Sequence, residues 1–141
     1  MTETGIINRD IAAELIKLGH MDKVLIADAG LAIPQSTRVI DLSLDENVPT
    51  ALDVLKVILK NFSVEKIILS KATGEVSPSR KKSFLNCFDF AVPYEEVSHP
   101  VFRDELTKEV KFAIRTGDFT ANSNIILVSG GGNRWFCEKN A

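Results

Sequence analysis

The chain of 141 residues carries 17 lysine and arginine residues against 19 aspartate and glutamate residues, which leaves a formal net charge of -2. This length is typical of one domain, and a composition of 45% apolar and 26% charged residues excludes an intrinsically disordered chain. The near-neutral charge argues against a nucleic-acid-binding protein, because such proteins usually present a basic face.

A helix and a strand are predicted at the start of the chain. Apolar residues recur at helical spacing from Asn8 to Leu18, where Asn8 can cap the first turn. Gly19 can then provide a left-handed stop. Residues 23–28 form a short apolar run, which predicts a buried strand that ends in the carboxylate of Asp28.

The middle of the chain continues this alternation. Residues 39–42 predict a second short strand, and Thr50 with Asp53 three residues later resembles a capping box that opens a helix. Residues 64–69 predict another buried strand. The polar segment 71–82 is predicted as an exposed loop entering a helix, since it contains glycine, proline and several basic residues.

The last predicted elements complete an α/β pattern. Residues 93–97 predict a strand, residues 98–108 a helix capped by a serine, and residues 110–114 and 125–128 two further strands. Because strands and helices alternate, we expect a single compact domain with a largely parallel central sheet flanked by helices. Such sheets bind ligands outside the carboxyl ends of their strands.

This rule selects Asp28, Arg115 and the residues near Ser129 as candidates. Asp28 precedes small residues, so it can accept sugar hydroxyls or cap the following turn. Arg115 with Asp118 can hold an anion or form a structural ion pair. The Gly-rich residues 129–133 weakly resemble a phosphate-binding loop, but they lack the lysine and hydroxyl residue of a P-loop, and a flexible tail is the alternative.

The chain contains two histidines, and both lie in suggestive positions. His20 is in the loop before the strand that ends at Asp28, where an imidazole and a carboxylate can form an acid–base pair. The alternative for His20 is a surface residue beside a helix end. His99 lies at the start of a predicted helix, where a neutral imidazole can bind a hydroxyl group, and the alternative is an exposed first-turn residue.

Targeting and redox features indicate a reducing compartment. The first ten residues include Glu3, Arg9 and Asp10, so no signal peptide is expected, and no apolar run approaches the roughly 20 residues that cross a bilayer. Cys87 and Cys137 are too few for a disulfide framework and lack metal-binding spacing. We therefore expect a cytoplasmic protein without a metal site or membrane segment.

A series of short motifs carries the most specific information. In chain order they are GIIN (5–8), LGHMD (18–22), IADAGLAIP (26–34), IDL (40–42), VPT (48–50), VSH (97–99), IRTG (114–117) and NIIL (124–127). Together they resemble the family of D-ribose pyranases and fucose mutarotases. The resemblance extends from about Gly5 to Val128 in the same order, which makes it specific although each motif alone is common.

The resemblance implies a cofactor-free isomerase that interconverts the pyranose and furanose forms of D-ribose. It implies that His20 is the proton donor. It also implies sugar-binding roles for Asp28, His99, Asn122, Ser123 and Asn124. Finally, the family implies a ring-shaped homo-oligomer with sites built between subunits.

Two departures from the family pattern affect these expectations. After Thr120 the family usually reads Pro-Tyr-Ala-Asn, so an aromatic hydroxyl is missing at Asn122, which puts sugar affinity or turnover in doubt. The family also typically ends a few residues after the last strand. We therefore divide the chain into a ribose-pyranase-like domain at residues 1–128 and a Gly-rich extension at residues 129–141.

Two alternatives remain open at this point. One is a mutarotase of another sugar such as L-fucose, although Gly30 favours ribose because fucose mutarotases usually carry a histidine there. The other is a non-catalytic sugar-binding module, which the change at Asn122 suggests.

Overall fold

A six-stranded sheet with helices on both faces forms the body of the computed structural model, which describes residues 1–140. The strands are β1 (Lys23–Ala27), β2 (Val39–Asp41), β3 (Val64–Ser70), β4 (Tyr94–Val97), β5 (Phe112–Arg115) and β6 (Ile125–Ser129). The helices are α1 (Arg9–Leu15), α2 (Ala51–Leu59), α3 (Lys71–Val76), α4 (Pro78–Asn86), α5 (His99–Val101) and α6 (Thr107–Glu109). A π-helical turn, Phe102–Leu106, joins α5 to α6, and a 3-10 turn spans Glu138–Asn140.

The strand order is β2-β5-β1-β6-β3-β4, and only β6 runs antiparallel to its neighbours. The predicted α/β fold with a largely parallel sheet is therefore confirmed. The reversal of β6 has one consequence for the candidate residues. Its last residue, Ser129, lies at the edge where the parallel strands begin, so the expectation that the Ser129 region joins Asp28 at one edge is wrong.

Strand β1 shows why the sheet is buried on both faces. Val24 and Ile26 belong to the core cluster that includes side chains of α1 and α2, whereas Leu25 and Ala27 pack in a second cluster with Phe102. These four strand residues are fully buried. A strand covered on both sides needs apolar side chains at every position, which explains the uninterrupted apolar run in the sequence.

Capping residues begin the first two long helices. Asn8 accepts a hydrogen bond from the Ile11 N–H at 2.9 Å, as predicted. Thr50 and Asp53 form the predicted capping box, with bonds of 3.2 and 2.9 Å between each side chain and the other residue's N–H.

Two local predictions are wrong. The left-handed backbone after α1 lies at Met21, with φ of 74°, and not at Gly19. Residues 71–82 form most of two helices instead of a loop, because Ser70 caps α3 and Pro78 occupies the first turn of α4, where a proline is compatible with a helix. No helix within the described residues 1–140 is long and apolar enough to span a membrane.

Candidate active site

A cavity of about 520 Å³ opens at the edge where the parallel strands end. Its volume lies within the range of roughly 300–1,000 Å³ that is typical of small-molecule sites. Four of the predicted site residues line it, namely Asp28, His99, Asn122 and Asn124. These residues come from separate parts of the chain and meet at this edge, because β1 and β4 end there and β6 begins there.

Asp28 and Asn124 form a buried pair across β1 and β6. The Asp28 N–H donates to Asn124 Oδ1 at 2.7 Å, and Asn124 Nδ2 donates to Asp28 Oδ2 at 3.3 Å. Asp28 Oδ1 accepts from the N–H groups of Gly30 and Leu31 at 3.0 and 2.8 Å. Asp28 thus caps the turn, and because a carboxylate has about four acceptor sites, Oδ2 retains room for one more donor.

His99 is the first residue of α5 and is half-buried. Its Nδ1 lies 3.1 Å from the hydroxyl of Ser70, at the end of β3. That hydroxyl already accepts from the Ala72 N–H, so its own proton is available to His99 Nδ1. When the Ser70 hydroxyl donates to Nδ1, the neutral ring carries its proton on Nε2 and His99 is a hydrogen-bond donor at the cavity wall.

Asp118 organises the loop between β5 and β6. Its fully buried side chain accepts from the N–H groups of Ala51 and Thr120 at 2.9 and 2.8 Å and from the Ser123 hydroxyl at 2.9 Å. Burial alone would raise the pKa of Asp118, but these hydrogen bonds outweigh it and hold the pKa below its ordinary value. The carboxylate therefore fixes the loop that carries the predicted sugar-binding segment.

Within that segment the three predicted residues have different environments. Asn122 adopts a left-handed backbone, with φ of 57°, and its carbonyl accepts from the Thr73 hydroxyl at 2.7 Å. Ser123 is fully buried and its hydroxyl is used by Asp118, so its side chain does not line the cavity. Asn122 and Asn124 do line the cavity.

His20 lies at the opposite edge of the sheet. His20 precedes β1 and Asp28 follows β1. Because β1 has five residues, the two edges are about 16 Å apart. The side chain of His20 is 68% exposed, and its Nε2 lies 2.9 and 3.0 Å from the two carboxylate oxygens of Glu65. A single copy of the chain therefore does not bring His20 together with Asp28 and His99.

Sequence reasoning missed three residues near these groups. Arg103 lines the cavity four residues after His99, and the helical spacing of the pair was a usable signal. Phe119 also lines the cavity and is 64% exposed. Glu65 is 45 residues from His20, and no local pattern links them.

The predicted Arg115–Asp118 ion pair is wrong. Arg115 donates to the Ala29 carbonyl at 3.1 Å, and the arginine beside Asp118 is Arg80, at 3.5 Å. Arg80 belongs to helix α4, which is distant from Asp118 in sequence. Tertiary packing brings the two together, so the spacing along the chain does not predict this pair.

The Gly-rich segment packs back on the edge that carries His20. Trp135 Nε1 donates to the Ser63 hydroxyl and Asn133 Nδ2 to the Asp89 carboxylate, both at 2.9 Å. These residues lie at the opposite edge from the cavity, so they do not cradle a ligand beside Asp28. The division into residues 1–128 and 129–141 stays a prediction, and Ala141 lies outside the described residues.

Comparison with known proteins identifies the family. The model of the RbsD / FucU transport protein family matches residues 1–131. Two proteins named D-ribose pyranase, from Streptococcus uberis and Streptococcus agalactiae serotype Ia, are 45% and 43% identical over 130 residues, which are 92% of this chain and 98% of each relative. The structure of Bacillus subtilis RbsD complexed with D-ribose matches with a TM-score of 0.87 at 39% identity and covers 94% of this chain and 99% of that one. The chain therefore belongs to the RbsD/FucU family.

Proposed function

We propose that this protein is a D-ribose pyranase, an isomerase that interconverts the pyranose and furanose forms of D-ribose. The observation that carries the proposal is the convergence of Asp28, His99 and Asn124 on one cavity. The relatives named D-ribose pyranase, which match over nearly their whole length, and the related structure complexed with D-ribose support the choice of reaction and sugar.

The reaction requires two proton movements and no net oxidation. In the pyranose, the bond between C1 and the ring oxygen O5 breaks, O5 gains a proton, and the anomeric hydroxyl loses one to become an aldehyde. The O4 hydroxyl then adds to C1, with the reverse proton movements, to give the furanose. Because atoms and electrons balance within the sugar, no redox or group-transfer cofactor is needed.

The cavity residues suit the binding of a polyol. The Asp28 Oδ2 atom accepts a sugar hydroxyl, and His99 Nε2–H donates to one. Asn122 and Asn124 line the same wall, while Ser123 contributes by holding the loop through Asp118. Several fixed polar partners orient the sugar and favour the geometry in which the ring opens.

His20 is the proposed proton donor to the ring oxygen, and it reaches the sugar from a second copy of the chain. Support comes from the placement of His20 and the cavity at opposite edges of one subunit. Both edges also expose apolar side chains, with Ile16 and Met21 near His20 and Phe119 at the cavity. Contact between these two different surfaces would be head-to-tail, a mode of association that forms a ring when the rotation between copies closes.

A cytoplasmic location is part of this proposal. It is supported by the two free cysteines, Cys87 and Cys137, since secreted chains of this size more often use disulfides.

Saturation-transfer NMR tests the proposal directly. The anomeric protons of D-ribofuranose and D-ribopyranose are followed in buffer, with the native protein, and with His20→Ala. We expect faster exchange with the native protein and a rate about 10²–10⁴-fold lower with His20→Ala, which is the range for loss of a general acid.

Native protein at micromolar concentration that leaves the exchange rate at the buffer value excludes catalysis, and tight ribose binding in that case indicates a binding module. A parallel panel with L-fucose identifies a protein that prefers another sugar. Circular dichroism of His20→Ala confirms that the variant is folded.

A further inference from the structure

The contact between His20 and Glu65 is more specific than an ordinary surface ion pair. One ring nitrogen, Nε2, faces both carboxylate oxygens at 2.9 and 3.0 Å, which fixes the direction in which Nε2 points. Glu65 is only 29% exposed, whereas His20 is 68% exposed. The carboxylate is thus anchored in the protein surface and the imidazole projects from it, which is an arrangement suited to presenting His20 outward.

Gly130 makes this contact possible. A Cβ atom at this position would lie 2.5 Å from Glu65 Oε2 and 2.7 Å from His20 Cδ2, too close for either side chain to remain in place. The backbone of Gly130 does not lie in the left-handed region, so conformation alone does not require glycine there. The missing side chain therefore serves the approach of the two functional groups.

We propose that Glu65 is a positioning residue for His20. By accepting a hydrogen bond from Nε2–H, it directs Nδ1 to the sugar: in the imidazolium form Nδ1–H gives its proton to the ring oxygen, and the neutral ring that remains holds its one proton on Nε2. The catalytic role of His20 in this inference rests on the proposed function. The tautomer itself does not, because it is a property of the ring without substrate.

The surroundings of the pair support a dedicated role for Glu65. The cation nearest in sequence, Lys66, is paired with Glu95 at 2.8 Å. His20 is the only cationic partner that the described residues 1–140 offer Glu65 within ion-pair distance. Within that part of the chain Glu65, near the start of β3, therefore pairs with His20 alone, as expected of a carboxylate whose role is to orient that histidine.

Magic-angle-spinning ¹⁵N NMR of histidine-labelled protein measures the tautomer whatever the size of the assembly. The chain has two histidines, so the His20 signals are assigned by their loss in His20→Ala. In the native protein we expect Nε2 protonated and Nδ1 unprotonated in the neutral ring. Glu65→Ala should give mixed tautomers, while the surface variant Glu95→Ala, which removes a comparable carboxylate, should leave the native pattern.

Kinetics supply the second readout. Glu65→Ala should lower kcat about tenfold or more, without exceeding the loss in His20→Ala, and leave KM nearly unchanged. Glu65→Gln, whose amide oxygen still accepts from Nε2–H, should restore the native tautomer and part of kcat. Gly130→Ala should displace the pair with little loss of stability, because the atoms it would meet end flexible side chains.

The inference and the proposed function fail in different ways. A native His20 that carries its neutral-state proton on Nδ1, or a native tautomer retained in Glu65→Ala, overturns the role of Glu65 even when the enzyme is active. Native tautomers with the expected Glu65 dependence but no acceleration of ribose exchange would instead overturn the catalytic function and leave the positioning contact established.

Discussion

Single buried polar residues decide whether the cavity keeps its shape. Asp118 is the clearest case, because one carboxylate binds the start of α2 and the loop before β6 at the same time. Hydrogen bonds to a charged group contribute more than neutral ones, about 1.5–3 kcal/mol each. A change at Asp118 should therefore affect the cavity and the stability of the domain together.

We predict that Asp118→Asn lowers the free energy of unfolding by about 2 kcal/mol at neutral pH. Because the pKa of Asp118 is lowered in the folded chain, its stabilising effect is complete above the ordinary carboxyl pKa and disappears as the pH falls through the lower folded value. Native stability should thus fall on acidification more steeply than that of Asp118→Asn. Urea unfolding at a series of pH values measures both effects.

The matched control for this experiment is Asp104→Asn. Asp104 is an exposed carboxylate that pairs with the neighbouring Arg103 side chain, so its loss should change the unfolding midpoint little. Equal pH profiles for native protein and Asp118→Asn would contradict the stabilising role of the buried carboxylate.

Asn124 supports a second residue-scale prediction. Asn124→Ala removes the acceptor for the buried Asp28 N–H and the donor to Asp28 Oδ2. An unsatisfied buried N–H costs about 1–3 kcal/mol, so we expect a loss of stability in that range and weaker ribose binding, by calorimetry. Asn61→Ala, which removes an exposed amide bonded to the Val57 carbonyl, should change neither quantity appreciably.

At the scale of elements, local sequence signals predicted where strands and helices lie, but they did not predict the direction of every strand. The apolar run before Asp28 and the capping box at Thr50 are local, and both elements form where they were predicted. The antiparallel course of β6 depends on the pairing of β6 with β1 and β3, which no local pattern encodes. For that reason the Ser129 region was expected at the wrong edge.

The candidate site shows the same division. The family motifs placed Asp28, His99 and Asn124 in one site, and in the structure these residues share one cavity. Contacts between distant segments, such as His20 with Glu65 and Asp118 with Arg80, were not found, because long-range charge pairs leave no periodic signal. Helix α3 and the first residues of α4 lie where a loop entering a helix was predicted, because the glycine and proline of residues 71–82 also favour turns.

The capping box gives an element-scale prediction. Thr50→Ala removes the hydroxyl that accepts from the Asp53 N–H at the start of α2. Loss of such a cap typically costs about 1 kcal/mol, so the thermal midpoint should fall by several degrees. Differential scanning calorimetry measures the change, and Thr50→Ser, which keeps the hydroxyl, should recover most of it. A midpoint equal in all three proteins would contradict the cap.

At the scale of the whole molecule, the placement of His20 and the cavity at opposite edges of the sheet allows a complementation test of whether each site forms between two copies. His20→Ala retains an intact cavity, and His99→Ala retains an intact His20. When differently tagged copies of the two variants are coexpressed at equal levels, about a quarter of the head-to-tail contacts should pair a native His20 with a native cavity. We therefore expect about a quarter of native exchange activity from mixed assemblies.

Each variant expressed alone is the control and should be nearly inactive. Mixed assemblies that remain as inactive as either variant would place the whole site within one chain. The assay is the same saturation-transfer measurement, and the two tags allow mixed assemblies to be isolated before it.

Because the length of β1 separates His20 from the cavity, the number of complete sites depends on how many copies associate. Under head-to-tail assembly, an isolated copy has two unmatched halves and no complete site. An open row of n copies completes n − 1 sites, and a closed ring of n copies completes n. In such an assembly, activity per chain would fall on dilution as the ring dissociates, so that catalysis would depend on the protein concentration.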